Sequence, residues 1–232
     1  MASVLVTGSN RGLGLEWVRQ YADEGWRVYA TCRHPETATE LQRLAEARPQ
    51  VRIERLDVTR PEQLAALVET LRGEPVDVLI NNAGVYFERW GRDALGTIDY
   101  GAWEETFRVN TLGPVRVTEA LVDNLAASGR RLVVAISSHM GSIADITQPR
   151  DYAYRSSKAA LNAAMRGLAH ELAGRRIGVL ILHPGWVRTR MGGEQAPIAP
   201  GESVTGMRGL VERFTPAWSG RFFRYDGTPM PW

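Results

Sequence analysis

Residues 1–24 constrain the fold most strongly. A short apolar stretch, Ser3-Val4-Leu5-Val6-Thr7, reads as a buried strand and runs straight into Gly8-Ser9-Asn10-Arg11-Gly12-Leu13-Gly14. An amphipathic helical run over 15–24 follows. Strand, glycine turn and helix in immediate succession are the context in which a glycine pattern becomes a phosphate site. Gly8 permits the tight turn, Gly12 lets a pyrophosphate approach the backbone, and Gly14 lets helix and strand pack closely. The helix start then offers free N–H groups and the positive end of its dipole. The spacing is G-x-x-x-G-x-G, so the glycines carry weight only together with both flanking elements.

The same alternation continues along the chain. Strands are expected over 26–31, 51–56, 76–80, 132–136, 177–182 and 222–225, and helices over 15–24, 36–47, 61–71, 103–125 and up to 172. Strands alternating with helices of this length imply a parallel sheet covered on both faces. We therefore expect an α/β fold, a doubly wound Rossmann sheet of about seven strands, in one domain over 1–232. Ligands of such sheets sit at the carboxyl ends of the strands. Gly8, Asp57, Asn81 and Ser138 all fall at strand ends and can share one pocket. Irregular segments over 85–102, 139–150 and 191–201 would line it. The last, rich in Gly and Pro, is expected to be mobile, within a lid at about 190–213.

Composition excludes several classes. The net charge is +2 and the basic residues are scattered among 26 acids, so no basic stripe for nucleic acid is present. No apolar run approaches the ~20 residues of a membrane span. The N-terminus enters a strand-like run without a basic, apolar leader. Cys32 is the one cysteine, which fits a reducing, cytoplasmic setting. No His, Cys or carboxylate cluster has metal-ligand spacing, and His139 and His183 read as packed or exposed neighbours of strands.

One pair points to chemistry. Tyr154 and Lys158 are four residues apart on a helix-prone run, so their side chains share a face. A cation ~4 Å from a phenol at an effective dielectric of ~20 is worth roughly 4 kcal/mol, enough to lower a tyrosine pKa by two or three units. Of 28 basic residues, 27 are arginine and only Lys158 is lysine. A single exception suggests work for a compact ammonium that a planar guanidinium cannot do.

The end of the second strand bears on the ligand. No acid lies between Trp26 and His34, where one would bond the ribose 2′-hydroxyl of NAD; Arg33 stands there instead. Arg11, in the glycine turn, could add a second positive group. The pattern favours NADP. Arg190 is read either as a surface charge or as a carboxylate-selecting group at the pocket mouth.

Thr7-Gly8-x-x-x-Gly12-x-Gly14, Asp57, Asn81-Asn82-Ala83-Gly84, Asn110, Ser138, Tyr154-x-x-x-Lys158 and Pro184-Gly185 occur in this order. With them the chain resembles the short-chain dehydrogenase/reductase family over essentially its whole length. The stretches 183–193 and 222–232 resemble its C-factor and sniffer-like carbonyl reductase branch. The resemblance implies an NADP-dependent oxidoreductase acting on a small to medium apolar carbonyl or alcohol. Catalytic roles would fall to Tyr154 as acid or base and to Lys158 on the nicotinamide ribose, where it lowers the Tyr154 pKa. Ser138 would hold the substrate oxygen, and Asn110 a relay water. The cofactor would be held by Gly8, Ser9, Asn10, Arg11, Gly12, Leu13, Gly14, Arg33, Asp57, Val58, Asn82, Ala83, Gly84, Tyr154, Lys158, Pro184, Gly185, Val187 and Thr189. Tyr152 reads as pocket wall or surface, and Ser138 is preferred to Ser137. A homo-oligomer stays open, as do two rival classes, an idle dinucleotide-binding regulator and a signalling protein.

Overall fold

Parallel strands carry the alternation of apolar side chains into two separate cores. The computed structural model describes residues 1–88 and 94–232. Its strands are β1 (Ser3–Thr7), β2 (Arg27–Cys32), β3 (Val51–Arg55), β4 (Val78–Asn81), β5 (Leu132–Ile136), β6 (Gly178–His183) and β7 (Arg221–Arg224). Among the described residues they form one seven-stranded sheet, order β3-β2-β1-β4-β5-β6-β7, with every neighbouring pair parallel. The helices are α1 (Gly12–Asp23), α2 (Thr39–Ala47), α3 (Pro61–Thr70), α4 (Tyr100–Phe107), α5 (Gly113–Ala120), α6 (Val122–Ala126), α7 (Tyr152–Leu172) and α8 (Pro200–Glu212).

Successive strand residues face opposite sides. Val4, Val6, Val28 and Val134 pack with Trp17 and Tyr21 of α1, Leu41 of α2 and Met207 of α8. Leu5, Tyr29, Leu79 and Val133 pack with Leu64 of α3, Val117 of α5 and Leu161 of α7. Both faces are dry, as a parallel sheet requires. The doubly wound fold is as expected. Strand order reverses between β1 and β4, so a crevice opens at the carboxyl ends of those two strands. Everything below lies along that edge.

Two expectations need correction. The helix over 103–125 is not continuous: α4 starts at Tyr100, a π-helical turn spans Arg108–Leu112, and α5 and α6 follow. Pro114 explains the break, because it has no N–H to give the Asn110 carbonyl and its ring crowds that oxygen. The helix over 36–47 is a 3₁₀ turn, Pro35–Thr37, followed by α2 from Thr39. The segment over 191–201 is anchored at several points. Val187 pairs with Ile198, Arg188 Nη1 donates to the carbonyls of Ala196 (3.0 Å) and Pro197 (2.7 Å), and Trp186 Nε1 donates to Gly192 O at 2.8 Å. Of the loop over 85–102, positions 89–93 lie outside the described residues.

Candidate active site

The glycine turn presents an open helix start. Gly8 and Gly12 have φ of +69° and +56°, a conformation that costs a side-chain-bearing residue energy. Arg11 precedes α1 in extended conformation, and no side chain caps the first turn, which holds no acid. A Cβ at Gly14 would stand 2.1 Å from Gly8 O, and one at Gly8 2.9 Å from Ala83 Cα. The turn is braced from both sides. Ser9 donates its N–H to Thr31 O (2.9 Å) and its hydroxyl to Val6 O (2.8 Å). Asn82 Nδ2 donates to Thr7 O at 2.9 Å and Gly8 O at 3.2 Å, and Thr7 Oγ1 accepts from the N–H groups of Asn82 and Ala83, each 3.0 Å away. Leu13 anchors the start of α1 in the first core. Free N–H groups behind left-handed glycines fit a phosphate-bearing dinucleotide.

Either side of this turn stand the other residues expected to hold the cofactor. Arg33 is exposed at the end of β2, with its carbonyl accepting from Arg55 Nη1. Asp57 follows β3 and its carboxylate holds Thr59 N–H (2.9 Å) and Oγ1 (2.7 Å), while Val58 is buried beside Gly113. Past β6, Gly185 is left-handed at φ +81°, Pro184 O accepts from Ser203 Oγ at 2.6 Å, and Val187 is buried. Thr189 comes back against the glycine turn: a Cβ at Gly12 would meet its Cγ2 at 3.4 Å. Asn10 is half-buried and Arg11 exposed at the outer edge.

The reactive side chains gather where β4, β5 and α7 meet. Tyr154 and Lys158 are both buried. Ser138 Oγ accepts from Met140 N–H at 3.2 Å and is near enough to the Tyr154 phenol to pull its pKa down, while Ser137 points away and donates to buried Asn162 Oδ1 at 2.6 Å. Lys158 Nζ lies 5.8 Å from the Tyr154 ring centroid and donates to Ile136 O at 2.9 Å. Asn110, in the π turn, is fully buried. Its Oδ1 accepts from Val85 N–H at 2.8 Å, and its Nδ2 donates to Val85 O at 2.9 Å and Ser157 Oγ at 3.1 Å. Gly84 lies between them: a Cβ there would stand 3.3 Å from Asn110 Oδ1 and 3.7 Å from Lys158 Nζ.

Electrostatics depart from the expected depression of the tyrosine pKa. Burial pushes the Tyr154 phenol up to about 12, against a smaller downward pull from Ser138. Burial also pulls Lys158 down to about 8. The ammonium is directed at Ile136 O rather than at the phenol oxygen, so desolvation outweighs attraction. The tyrosine is thus held protonated at neutral pH.

Three participants were not read from sequence. The Tyr86 ring lies over the Tyr154 ring with centroids 4.4 Å apart, and its hydroxyl donates to Asp151 Oδ1. Asp151 enters α7 from a left-handed conformation, φ +56°. The Glu88 carboxylate caps α7, accepting from the N–H groups of Ala153 (2.8 Å) and Tyr154 (2.7 Å). Nothing in a lone Tyr or Glu after a strand announces a partner 65 residues away. His139 and His183 pack with ring centroids 5.1 Å apart, and burial pulls His183 down to about 3, so it stays neutral.

A parallel sheet with a reversal of strand order, and a glycine turn feeding an uncapped helix at that reversal, define a dinucleotide-binding α/β protein. Comparison with known proteins narrows the class. The short chain dehydrogenase family profile matches residues 2–198. C-signal of Myxococcus xanthus is 48% identical over 158 residues, covering 68% of this chain and 93% of that protein. The carbonyl reductase Sniffer of D. melanogaster is 33% identical with a TM-score of 0.91, each chain covered completely. An NADPH-bound carbonyl reductase from chicken fatty liver is also 33% identical with a TM-score of 0.91, covering 100% of this chain and 99% of that one. The protein belongs to the short-chain dehydrogenase/reductase family, in its C-factor and sniffer-like branch.

Proposed function

We propose that the protein is an NADPH-dependent carbonyl reductase in which Tyr154 delivers the proton. The observation that carries this reading is a buried phenol, held protonated up to about 12, beside Ser138 and one helical turn from the chain's only lysine. NADPH, when bound, supplies the hydride. The segment Gly8 to Gly14 would hold its phosphates, Arg33 and Arg11 the 2′-phosphate, and Asp57, Val58 and Asn82-Ala83-Gly84 the adenosine side of the crevice. Pro184, Gly185, Val187 and Thr189 would hold the nicotinamide end.

Within that frame the side chains divide the work. Ser138 orients the carbonyl oxygen toward Tyr154 and helps stabilise charge developing there. Tyr154 O–H passes its proton to that oxygen, which favours reduction at neutral pH because the phenol is protonated there. Lys158 steadies the resulting phenolate and holds ribose hydroxyls. Asn110 fixes the Gly84–Val85 backbone beside Lys158, and its carbonyl, opposite Pro114, would hold a water that returns the proton. Exposed Phe87, Ile143, Ile146, Trp186 and Met191, contributed by three separate loops, would line the mouth and suit an apolar carbonyl compound.

The test is NADPH consumption over a panel of apolar aldehydes and ketones, with Tyr154→Phe as the comparison. Turnover lost in the variant while NADPH still binds supports the reading. Binding without turnover on any carbonyl would favour a second reading, a signalling role, which rests on the 48% identity with C-signal.

A further inference from the structure

Three arginines around the glycine turn, with no acid among them, lie close enough for their charges to interact. Arg11 stands at the head of α1 and Arg33 at the end of β2, and both are exposed. Arg190 reaches the same place from the segment after β6, because Thr189 packs against Gly12 at 3.4 Å from its would-be Cβ. A local clamp fixes this approach. Thr189 Oγ1 accepts from Gly192 N–H at 3.0 Å and Thr189 O from Gly193 N–H at 2.7 Å, so residues 189–193 form a closed turn that projects Arg190. The charges feel one another: the Arg11 guanidinium is pulled below its ordinary value by burial first, then by Arg190 and Arg33. None of the three guanidinium groups makes a hydrogen bond or ion pair among the described residues. Arg188, two positions away, behaves differently and spends its guanidinium on the Ala196 and Pro197 carbonyls.

Like charges brought together without a counter-ion repel one another, and an anion seated between them relieves that repulsion. We propose that Arg190 and Arg11 form a two-armed clamp on a phosphate of the bound dinucleotide, closing over the glycine turn from opposite sides. The inference rests on the NADPH reading above and adds a residue that belongs to neither the glycine turn nor the end of β2. It also moves Arg190, which the sequence alone left as either a surface charge or a group at the pocket mouth, to the cofactor. Two phosphate sources share this chemistry, the 2′-phosphate and the pyrophosphate, and binding can separate them.

The experiment is calorimetric titration of the full-length protein with NADPH and with NADH, in the unmodified protein and in Arg190→Ala and Arg190→Lys. Arg190 is exposed, so neither change disturbs the core. Arg190→Ala should weaken NADPH binding about tenfold or more, the scale of a lost charge-assisted contact, and Arg190→Lys should recover part of it. A loss confined to NADPH places the clamp on the 2′-phosphate, and an equal loss for both dinucleotides places it on the pyrophosphate. Unchanged affinity for both in Arg190→Ala overturns the proposal. Failure of the NADPH reading itself is distinct: the unmodified protein would then bind neither dinucleotide.

Discussion

Lys158 Nζ donates to the Ile136 carbonyl across 2.9 Å, tying α7 to the end of β5 inside the protein. The ammonium has little room, since a Cβ at Gly84 would stand 3.7 Å from it and one at Gly141 2.8 Å from Lys158 Cβ. We expect Lys158→Arg to lose ~100-fold or more in turnover while the circular dichroism stays native, because the guanidinium fork cannot occupy this space. Near-normal turnover would remove the significance attached to the single lysine.

Burying that ammonium also has a measurable cost. Lysine ordinarily titrates at 10.5, and Lys158 is pulled to about 8 by burial. Between those values the unfolded chain binds the proton and the folded chain does not, so stability should rise with pH across the window. Lys158→Met should abolish that rise and stabilise the protein at neutral pH by up to roughly 3 kcal/mol. Denaturant midpoints at several pH values test this, and a variant less stable than its parent at neutral pH would contradict it.

The same shifts set a pH profile. Reduction requires Tyr154 protonated, which holds up to about 12, and Lys158 charged, which holds up to about 8. The kcat/KM for reduction should therefore be level on the acid side of 8 and fall above it, approaching tenfold per pH unit. A decline that sets in only near 10 would assign the limb to some other group.

How far the sequence reached depended on the range of the interactions. The sheet was legible because each parallel strand is a local apolar run, and the glycine turn because strand, turn and helix are contiguous. The π turn was not, because it needs Pro114 and the pull of Val85 on Asn110 together. Tyr86 with Asp151, and Trp232 O accepting from Ala144 N–H at 3.0 Å, join residues that no local pattern connects. The Tyr154 pKa was read in the wrong direction because spacing gives the nearby charge but not the burial.

Adjacent serines should separate stability from chemistry. Ser137 bonds Asn162 in the core, whereas Ser138 acts on the Tyr154 phenol. Ser137→Ala leaves the Asn162 oxygen unpaired and should cost about 1–3 kcal/mol of stability with most turnover retained. Ser138→Ala should do the reverse, losing ~100-fold or more in kcat. Equal behaviour of the two in both assays would show that the strand does not divide their roles.

Tyr86 should matter to substrate more than to cofactor. Its ring covers Tyr154 at 4.4 Å, and its hydroxyl holds Asp151, where the chain turns into α7. Tyr86→Phe keeps the ring and removes the hydroxyl's bond to Asp151, so KM should rise several-fold with NADPH affinity unchanged. Tyr86→Ala also opens the wall over the phenol and should lower kcat. Weaker NADPH binding in Tyr86→Phe would mean that the residue acts on the cofactor pocket instead.

Asn110 is satisfied at every polar atom without solvent. It pairs with both polar groups of Val85 and with Ser157 Oγ, and it is fully buried. Asn110→Ala strands the Val85 N–H and carbonyl, at about 1–3 kcal/mol for each buried group left unpaired. For a chain of this size that is a fall in Tm of roughly 2–4 °C per kcal/mol. Asn110→Asp is the sharper change, because it keeps the acceptor for Val85 N–H but sets an oxygen against Val85 O and buries a charge. We expect Asp to be the more destabilising substitution despite its closer shape. Both variants should lose activity beyond their loss of folded protein, since Gly84 lies between Asn110 and Lys158. An Asp variant as stable as its parent would mean that the Val85 contact does not hold the loop in place.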